Sequence, residues 1–118
     1  MAIRKRKETT DLTVNPGSDV ILTITIGNAQ IGASIVRFDK DETVLAKGDI
    51  SNLHLGKAEE LAGKTLKVTT NILDANSLTN GIVATYGFGS CIPAVVTFKD
   101  EVKTDGDIIS FILDFNFR

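Results

Sequence analysis

The sequence predicts an all-β fold: a two-sheet antiparallel β-sandwich, Greek-key or jelly-roll-like, with about seven to nine strands and at most one helical turn. Three observations lead to this prediction. Apolar side chains recur at every second position along most of the chain, which is the period of a strand with one buried face. Turn-forming Gly, Asn and Asp separate these short segments at fairly even spacing, and only one short stretch has a helical composition.

The first two clear strands are residues 19–26 and 31–38. Residues 27–30 between them have the composition of a turn, so we expect the two strands to pair as an antiparallel hairpin. Weaker strands are predicted at 43–46 and 50–55. The first strand illustrates the pattern, because its aliphatic side chains alternate mostly with threonine: Val20, Leu22, Ile24 and Ile26.

The middle of the chain contains a stretch of helix formers, Lys57 to Ala62, with Gly63 placed to end it. This stretch is barely two turns long, so we expect one helical turn at most. Beyond it the period of two returns, in predicted strands 65–73, 82–88 and 92–99.

The last predicted strand, residues 107–117, is the most apolar segment. One face carries five large side chains: Ile109, Phe111, Leu113, Phe115 and Phe117. The opposite face also carries Ile108 and Ile112, so the first half of the strand should be covered on both sides. It is therefore either a central strand or a contact between subunits, and Ile108 and Ile112 are the candidate interface residues.

The N-terminal ten residues predict a flexible basic arm, followed by a single β-sandwich domain over 11–118. Residues 4–7 read Arg-Lys-Arg-Lys, and no apolar stretch follows them, so a secretory signal is not expected. Cys91 is the only cysteine, which suits a reducing compartment. We expect a cytoplasmic protein, with export by a route that uses no cleaved signal left open.

Charge narrows the classes of partner. Four of the 13 basic residues lie in the N-terminal run, leaving nine against 15 acidic residues in the remainder. An acidic domain is not expected to bind nucleic acid, which needs a clustered basic face. No apolar run is long enough to span a membrane.

A catalytic site would have to use His54, the only histidine, with Cys91 or Ser90 as nucleophile. No carboxylate or oxyanion group stands at a recognisable spacing from them. The alternating pattern places His54 on a solvent face, and Cys91 has no charged neighbour that would activate its thiol. We therefore expect a protein that is not an enzyme and has no cofactor.

Two acidic turns are candidates for calcium binding, because loop carboxylates are the ligands that Ca²⁺ prefers. An EF-hand loop is excluded by the residue types at Thr43 and Val44. The competing interpretation is that these residues are ordinary turn formers. The candidates are Asp39, Asp41 and Glu42 in one turn, and Asp105 and Asp107 in the other.

A carbohydrate-binding face is suggested by outward Thr23, Thr25, Thr69 and Asn71. Such a face lacks an aromatic platform, because Tyr86 is predicted to be a core residue with its hydroxyl at the rim. The leading hypothesis is a non-enzymatic protein-interaction or assembly module with a protein partner or a homo-oligomer. The alternative is a calcium- or carbohydrate-binding module that uses the acidic loops.

Overall fold

The computed structural model describes residues 2–118. These residues form ten strands and one helical turn in two sheets, which confirms the predicted all-β, two-sheet fold. The elements are β1 (Ile3–Val14), β2 (Asp19–Ile26), β3 (Ile31–Phe38), β4 (Ala46–Gly48), β5 (Leu53–Lys57), α1 (Ala58–Leu61), β6 (Thr65–Leu73), β7 (Gly81–Gly89), β8 (Cys91–Ile92), β9 (Val95–Glu101) and β10 (Ile108–Phe117). The six-stranded sheet has the order β4-β3-β6-β10-β1-β8, and the four-stranded sheet the order β5-β2-β7-β9.

The core lies between the two sheets, and β10 is its largest contributor. Strand β10 occupies the centre of the six-stranded sheet, and its five inward side chains are almost completely buried. Aromatic rings join the sheets directly: the centroid of Phe115 lies 4.7 Å from that of Phe88 and 5.5 Å from that of Tyr86. Such pairs stabilise a core by about 1 kcal/mol each beyond the area they bury.

One polar contact also crosses the core. The Tyr86 hydroxyl donates to Thr70 Oγ1 at 2.7 Å, and Ser34 Oγ lies 2.7 Å from the same atom. Burial raises the pKa of Tyr86 to about 12, although the hydrogen bond to Thr70 opposes the shift. The predicted position of this hydroxyl at the rim is wrong, because the ring is fully buried and the hydroxyl is satisfied inside the core.

The predicted flexible arm over residues 1–10 is wrong for residues 3–10, which belong to β1; Met1 lies outside the described residues. Strand β1 runs parallel to β10 from the Ile3–Ile108 pair to the Leu12–Phe117 pair. This ladder explains why residues 3–10 form a strand, because β10 would otherwise have an unpaired apolar edge. The basic run is therefore part of the fold, and the acidic balance calculated without it does not describe the folded body.

Alternation along β1 sends its arginines inward and its lysines outward. Arg4 and Arg6 reach across the open side of the sandwich and form ion pairs with Asp100 on β9. Arg4 also donates to the Glu101 carbonyl, and Arg6 to the Lys99 carbonyl, on that strand. These contacts form an arginine clamp between β1 and β9, and they occupy backbone acceptors at a sheet edge.

The aromatic core supports the clamp. The guanidinium carbon of Arg6 lies 5.6 Å from the ring centroid of Phe98 and 5.8 Å from that of Phe111. A cation over two ring faces is stabilised electrostatically while its donors face the carboxylate. Arg6 therefore covers the core at the end of β1 where the other inward side chains, Arg4 and Glu8, are also polar.

The predicted hairpin between β2 and β3 is wrong, because the two strands belong to different sheets. Strand β2 pairs with β5 and β7, whereas β3 pairs with β4 and β6. Asn28 and Ala29 adopt left-handed φ angles of 57° and 54°, and the turn carries the chain from one sheet to the other. A Cβ on Gly32 would lie 3.1 Å from Ile26 Cγ1, so a larger residue there would have to displace this side chain slightly.

The weaker predicted elements lie near their expected positions. The strand predicted at 43–46 corresponds to β4, which begins three residues later, at Ala46. The strand predicted at 50–55 corresponds to β5, which also begins three residues later, at Leu53. The single predicted helical turn is confirmed as α1, and Gly63 follows it with a left-handed φ of 87°. Its side chains Ala58 and Leu61 are buried in the core, so the turn is held by packing.

The arginine clamp predicts a pH-dependent contribution of Asp100 to stability. Burial raises the pKa of this carboxyl, but hydrogen bonds from the Glu101 backbone and from Arg6 and Arg4 together leave it below its ordinary value of 3.8. A carboxyl whose pKa is lowered by folding stabilises the fold above its unfolded-state pKa. That contribution is lost as the pH falls through the folded-state pKa.

Asp100→Asn should therefore lower the free energy of unfolding by about 1 kcal/mol near pH 7. The difference from the wild type should shrink below about pH 4. Urea unfolding across this pH range measures both effects, and the exposed Glu42→Gln is the matched control. An Asp100→Asn effect that stays constant with pH would contradict the clamp.

Candidate functional site

The candidate site is the solvent-facing side of the six-stranded sheet, called here the outer face. It consists of the side chains of β4, β3, β6, β10 and β1 that point away from the four-stranded sheet. At one end of this face, strand register aligns four aliphatic side chains in a row across four neighbouring strands. This aliphatic row is Ile31, Leu73, Ile108 and Ile3.

The aliphatic row is accessible to solvent at both of its ends. Ile31 is 62% exposed and Ile3 is 59% exposed, while Leu73 and Ile108 between them are half-buried by their neighbours. Ile35, four residues further along β3, is 44% exposed. A contiguous exposed aliphatic surface of this kind is typical of a contact surface, whereas scattered single side chains are not.

Positive charge lies on one side of the aliphatic row, towards the middle of the outer face. Lys5 and Lys7 project from β1, and Lys47 projects from β4 in register with Ile35. These three lysines are exposed and form no ion pair within residues 2–118. The outer face thus combines aliphatic contact area with unneutralised basic groups.

The carboxylates of the outer face are already paired. Asp114 accepts a hydrogen bond from Lys67 Nζ at 2.9 Å on the neighbouring strand. Asp11 accepts one from the Asn116 amide at 3.0 Å and lies 3.5 Å from Arg118. The Asn116 hydrogen bond, with Arg118, lowers the pKa of Asp11 below its ordinary range. The negative charge is therefore confined to the end of the face opposite the aliphatic row.

The two interface residues predicted from sequence, Ile108 and Ile112, both lie on the outer face and are half-buried. The sequence left open whether their strand is central in a sheet or forms a contact between subunits. Strand β10 is central in its sheet, between β6 and β1. Sequence reasoning missed Ile3, Ile31 and Leu73 as their neighbours. Only the parity of each strand was visible, and the cross-strand register that aligns these residues depends on which strands are adjacent.

The two predicted calcium turns lie at opposite ends of the sandwich. Asp39 follows Phe38, whose partner on β6 is Leu66, whereas Asp107 precedes Ile108, whose partner on β6 is Leu73. The turns are thus separated by the length of β6, roughly 25 Å. The five carboxylates therefore do not form one site.

Each acidic turn also has a local explanation. Asp39 Oδ1 accepts from the Lys40 backbone N–H at 3.0 Å, and Asp41 Oδ1 accepts from that of Thr43 at 2.9 Å. The Thr43 hydrogen bond lowers the pKa of Asp41. Glu42 beside them is exposed. These contacts are those of ordinary turn formers.

The second turn belongs to a buried polar cluster. Asp107 Oδ1 accepts from the Ala2 N–H at 2.9 Å. With its amide nitrogen facing the carboxylates, Asn80 donates to Asp105 at 2.9 Å and to the buried Asp74 at 2.7 Å. Gln30 also donates to Asp74, at 2.8 Å. Across residues 2–118, no group of three or more His, Cys, Asp or Glu side chains is placed to hold a metal ion.

The residues considered for catalysis do not form an activated group. His54 lies on the solvent face of β5, as predicted, and its nearest charged partner is Asp19 at 3.9 Å. Cys91 is buried, and burial raises the pKa of its thiol, which is the opposite of thiolate activation. Ser90 adopts a left-handed φ of 71° in the link between β7 and β8.

The threonine face considered for sugar binding is divided between the two sheets. Thr23 and Thr25 point outward from β2 in the four-stranded sheet, whereas Thr69 and Asn71 lie on the outer face of the six-stranded sheet. These groups cannot contact one ligand. The sequence pattern identified outward side chains correctly but could not assign them to a sheet.

Comparison with protein-family models, curated proteins and solved structures found no match for this chain. No helix within residues 2–118 is long and apolar enough to cross a membrane.

The separation of the acidic turns predicts that calcium leaves stability unchanged. A ligand that binds only the folded chain stabilises it by RT ln(1 + [L]/Kd) and so raises the melting temperature when its concentration exceeds its Kd. We expect the same melting temperature with millimolar Ca²⁺ and with a chelator, measured by circular dichroism. An increase that Asp105→Asn or Asp41→Asn removes would contradict this expectation and revive the calcium alternative.

Proposed function

We propose that this protein is a non-enzymatic protein-interaction or assembly module that binds through the outer face of its six-stranded sheet. The aliphatic row carries the proposal, because it places four large apolar side chains side by side on a solvent-facing surface. Water released from such a surface is the main driving force of protein association.

The rigidity of the outer face supports this function. Strands β6 and β10 at its centre are hydrogen-bonded on both edges and are also anchored by the core beneath. A surface that does not rearrange on binding loses less conformational entropy when it forms a complex. Lys5, Lys7 and Lys47 add polar groups beside the aliphatic row, as interfaces combine apolar and polar contacts.

The alternatives receive less support from the same residues. The carboxylates of the calcium hypothesis are spread over two ends of the molecule, and most accept hydrogen bonds within their own turns or cluster. The hydrolase hypothesis depends on His54 with Cys91 or Ser90, and burial of the Cys91 thiol raises its pKa, which opposes thiolate formation. The outer face needs no group that is missing or already engaged.

Immobilised chain variants test the proposed function. Ile108→Lys places a charge in the middle of the aliphatic row and should abolish capture of the partner, whether that partner is foreign or a second copy. Ile31→Lys should act in the same direction with less risk to folding, because Ile31 is already 62% exposed. Quantitative mass spectrometry of the captured proteins provides the measurement.

Val95→Lys is the matched control, since Val95 is 58% exposed on the outward side of the four-stranded sheet. It should capture the same proteins as the wild type. Equal capture by all variants would contradict binding through the outer face.

A further inference from the structure

We infer that the occupant of the outer face is a second copy of this chain, related by a twofold axis that runs along the strands between β6 and β10. This inference rests on the proposed function and adds the identity of the partner. It comes from the strand register, which makes the outer face complementary to itself under that one operation.

The operation fixes which strands meet. An axis in the interface plane, parallel to the strands, keeps each residue at its level and exchanges left and right across the axis. Strand β10 then faces β6 of the second copy, and β1 faces β3 of the second copy. A level is the set of outward side chains aligned across β3, β6, β10 and β1 by the strand register, and side chains of the same level face one another.

The level of the aliphatic row pairs apolar groups only. Ile3 faces Ile31 of the second copy, and Ile108 faces Leu73 of the second copy. Symmetry generates each contact twice, so four aliphatic pairs form one continuous band. The most exposed side chains, Ile3 and Ile31, cover one another.

The next two levels pair polar or basic groups with small or uncharged ones. Ser110 lies opposite Asn71 of the second copy but is only 6% exposed, so Asn71 provides most of the contact there. Lys5 faces Ala33 of the second copy. Lys7 faces Ile35 of the second copy, so its alkyl stem can cover that side chain while its ammonium stays in water.

The level below these pairs opposite charges. Asp114 faces Lys67 of the second copy, and Lys67 faces Asp114 of the second copy, so the ion pair within each chain extends into a four-membered network. The lysines of the outer face thus meet no lysine across the axis near the centre of contact. The facing of opposite charges at this level favours this register.

The size of the face predicts a dimer of moderate affinity. Four strands about 4.8 Å apart and nine residues long, at about 3.3 Å per residue, give about 570 Å² of projected area per copy. Stable interfaces bury about 800 Å² of accessible surface per partner, and protruding side chains raise the projected value toward it. The contact is closest at β6 and β10, which lie on either side of the axis. We expect dissociation in the micromolar range.

Sedimentation velocity across a concentration series tests the inference. The wild-type mass should rise from one chain toward two, and Ile31→Lys should weaken dimerisation at least tenfold because the substitution acts twice in the dimer. Val95→Lys should behave as the wild type. A wild type that stays monomeric at every concentration, or an Ile31→Lys variant that dimerises normally, would overturn the inference.

Cysteine cross-linking tests the direction of the axis. In a mixture of Lys5→Cys and Ala33→Cys chains, a short thiol-reactive linker should join one chain of each kind. Either variant alone should cross-link poorly, because two copies of the same position lie about 14 Å apart across the axis. Native Cys91 is buried and does not compete. Efficient cross-linking within one variant, or none in the mixture, would contradict this axis.

The outcomes separate the two claims. If the wild type is monomeric while Ile108→Lys loses a foreign protein that Val95→Lys retains, the second copy is wrong and the proposed function stands. If every variant captures the same proteins as the wild type and dimerises to the same extent, both the second copy and the proposed function are wrong.

Discussion

The position of β10 is the constraint on which the rest of the structure depends. Its inner face carries five large side chains, three of them phenylalanine, and both of its edges need hydrogen-bonded neighbours. Strand β6 satisfies one edge in antiparallel register, and β1 satisfies the other in parallel register. The four-stranded sheet then closes over the phenylalanines through Tyr86, Phe88 and Phe98. A strand so apolar cannot remain at an edge without exposing an aggregation-prone surface.

Pairing with β10 also gives β1 two different faces. Its inward arginines hold Asp100 and the edge of β9, so they fasten the two sheets together on their open side. Its outward residues Ile3 and Lys5 complete the outer face, where Ile3 extends the aliphatic row by one strand. One segment therefore contributes both to stability and to the proposed contact. A change that released β1 would remove the clamp and part of the binding surface together.

The period of two was sufficient to predict the fold class and most strands, because one buried face leaves a clear local pattern. It was also sufficient to orient Ile108, Ile112 and His54. It failed for β1, whose inner positions include Arg4 and Arg6, since those side chains are held inward by Asp100 from a distant strand. It failed for the β2–β3 link, because a turn composition does not reveal whether the chain returns within one sheet. The aliphatic row itself depends on register between strands far apart in sequence, which no local pattern contains.

The membership of β1 in the six-stranded sheet is the central claim, and backbone amide hydrogen exchange measured by NMR tests it most directly. If β1 pairs with β10 as described, amides in residues 4–12 that donate to β10 exchange far more slowly than those of Glu42 and Val44 in the exposed loop before β4. The protection should approach that of β10 itself. Rapid exchange throughout residues 3–10, with β10 still protected, would mean that this segment is an arm after all and that the outer face lacks Ile3, Lys5 and Lys7.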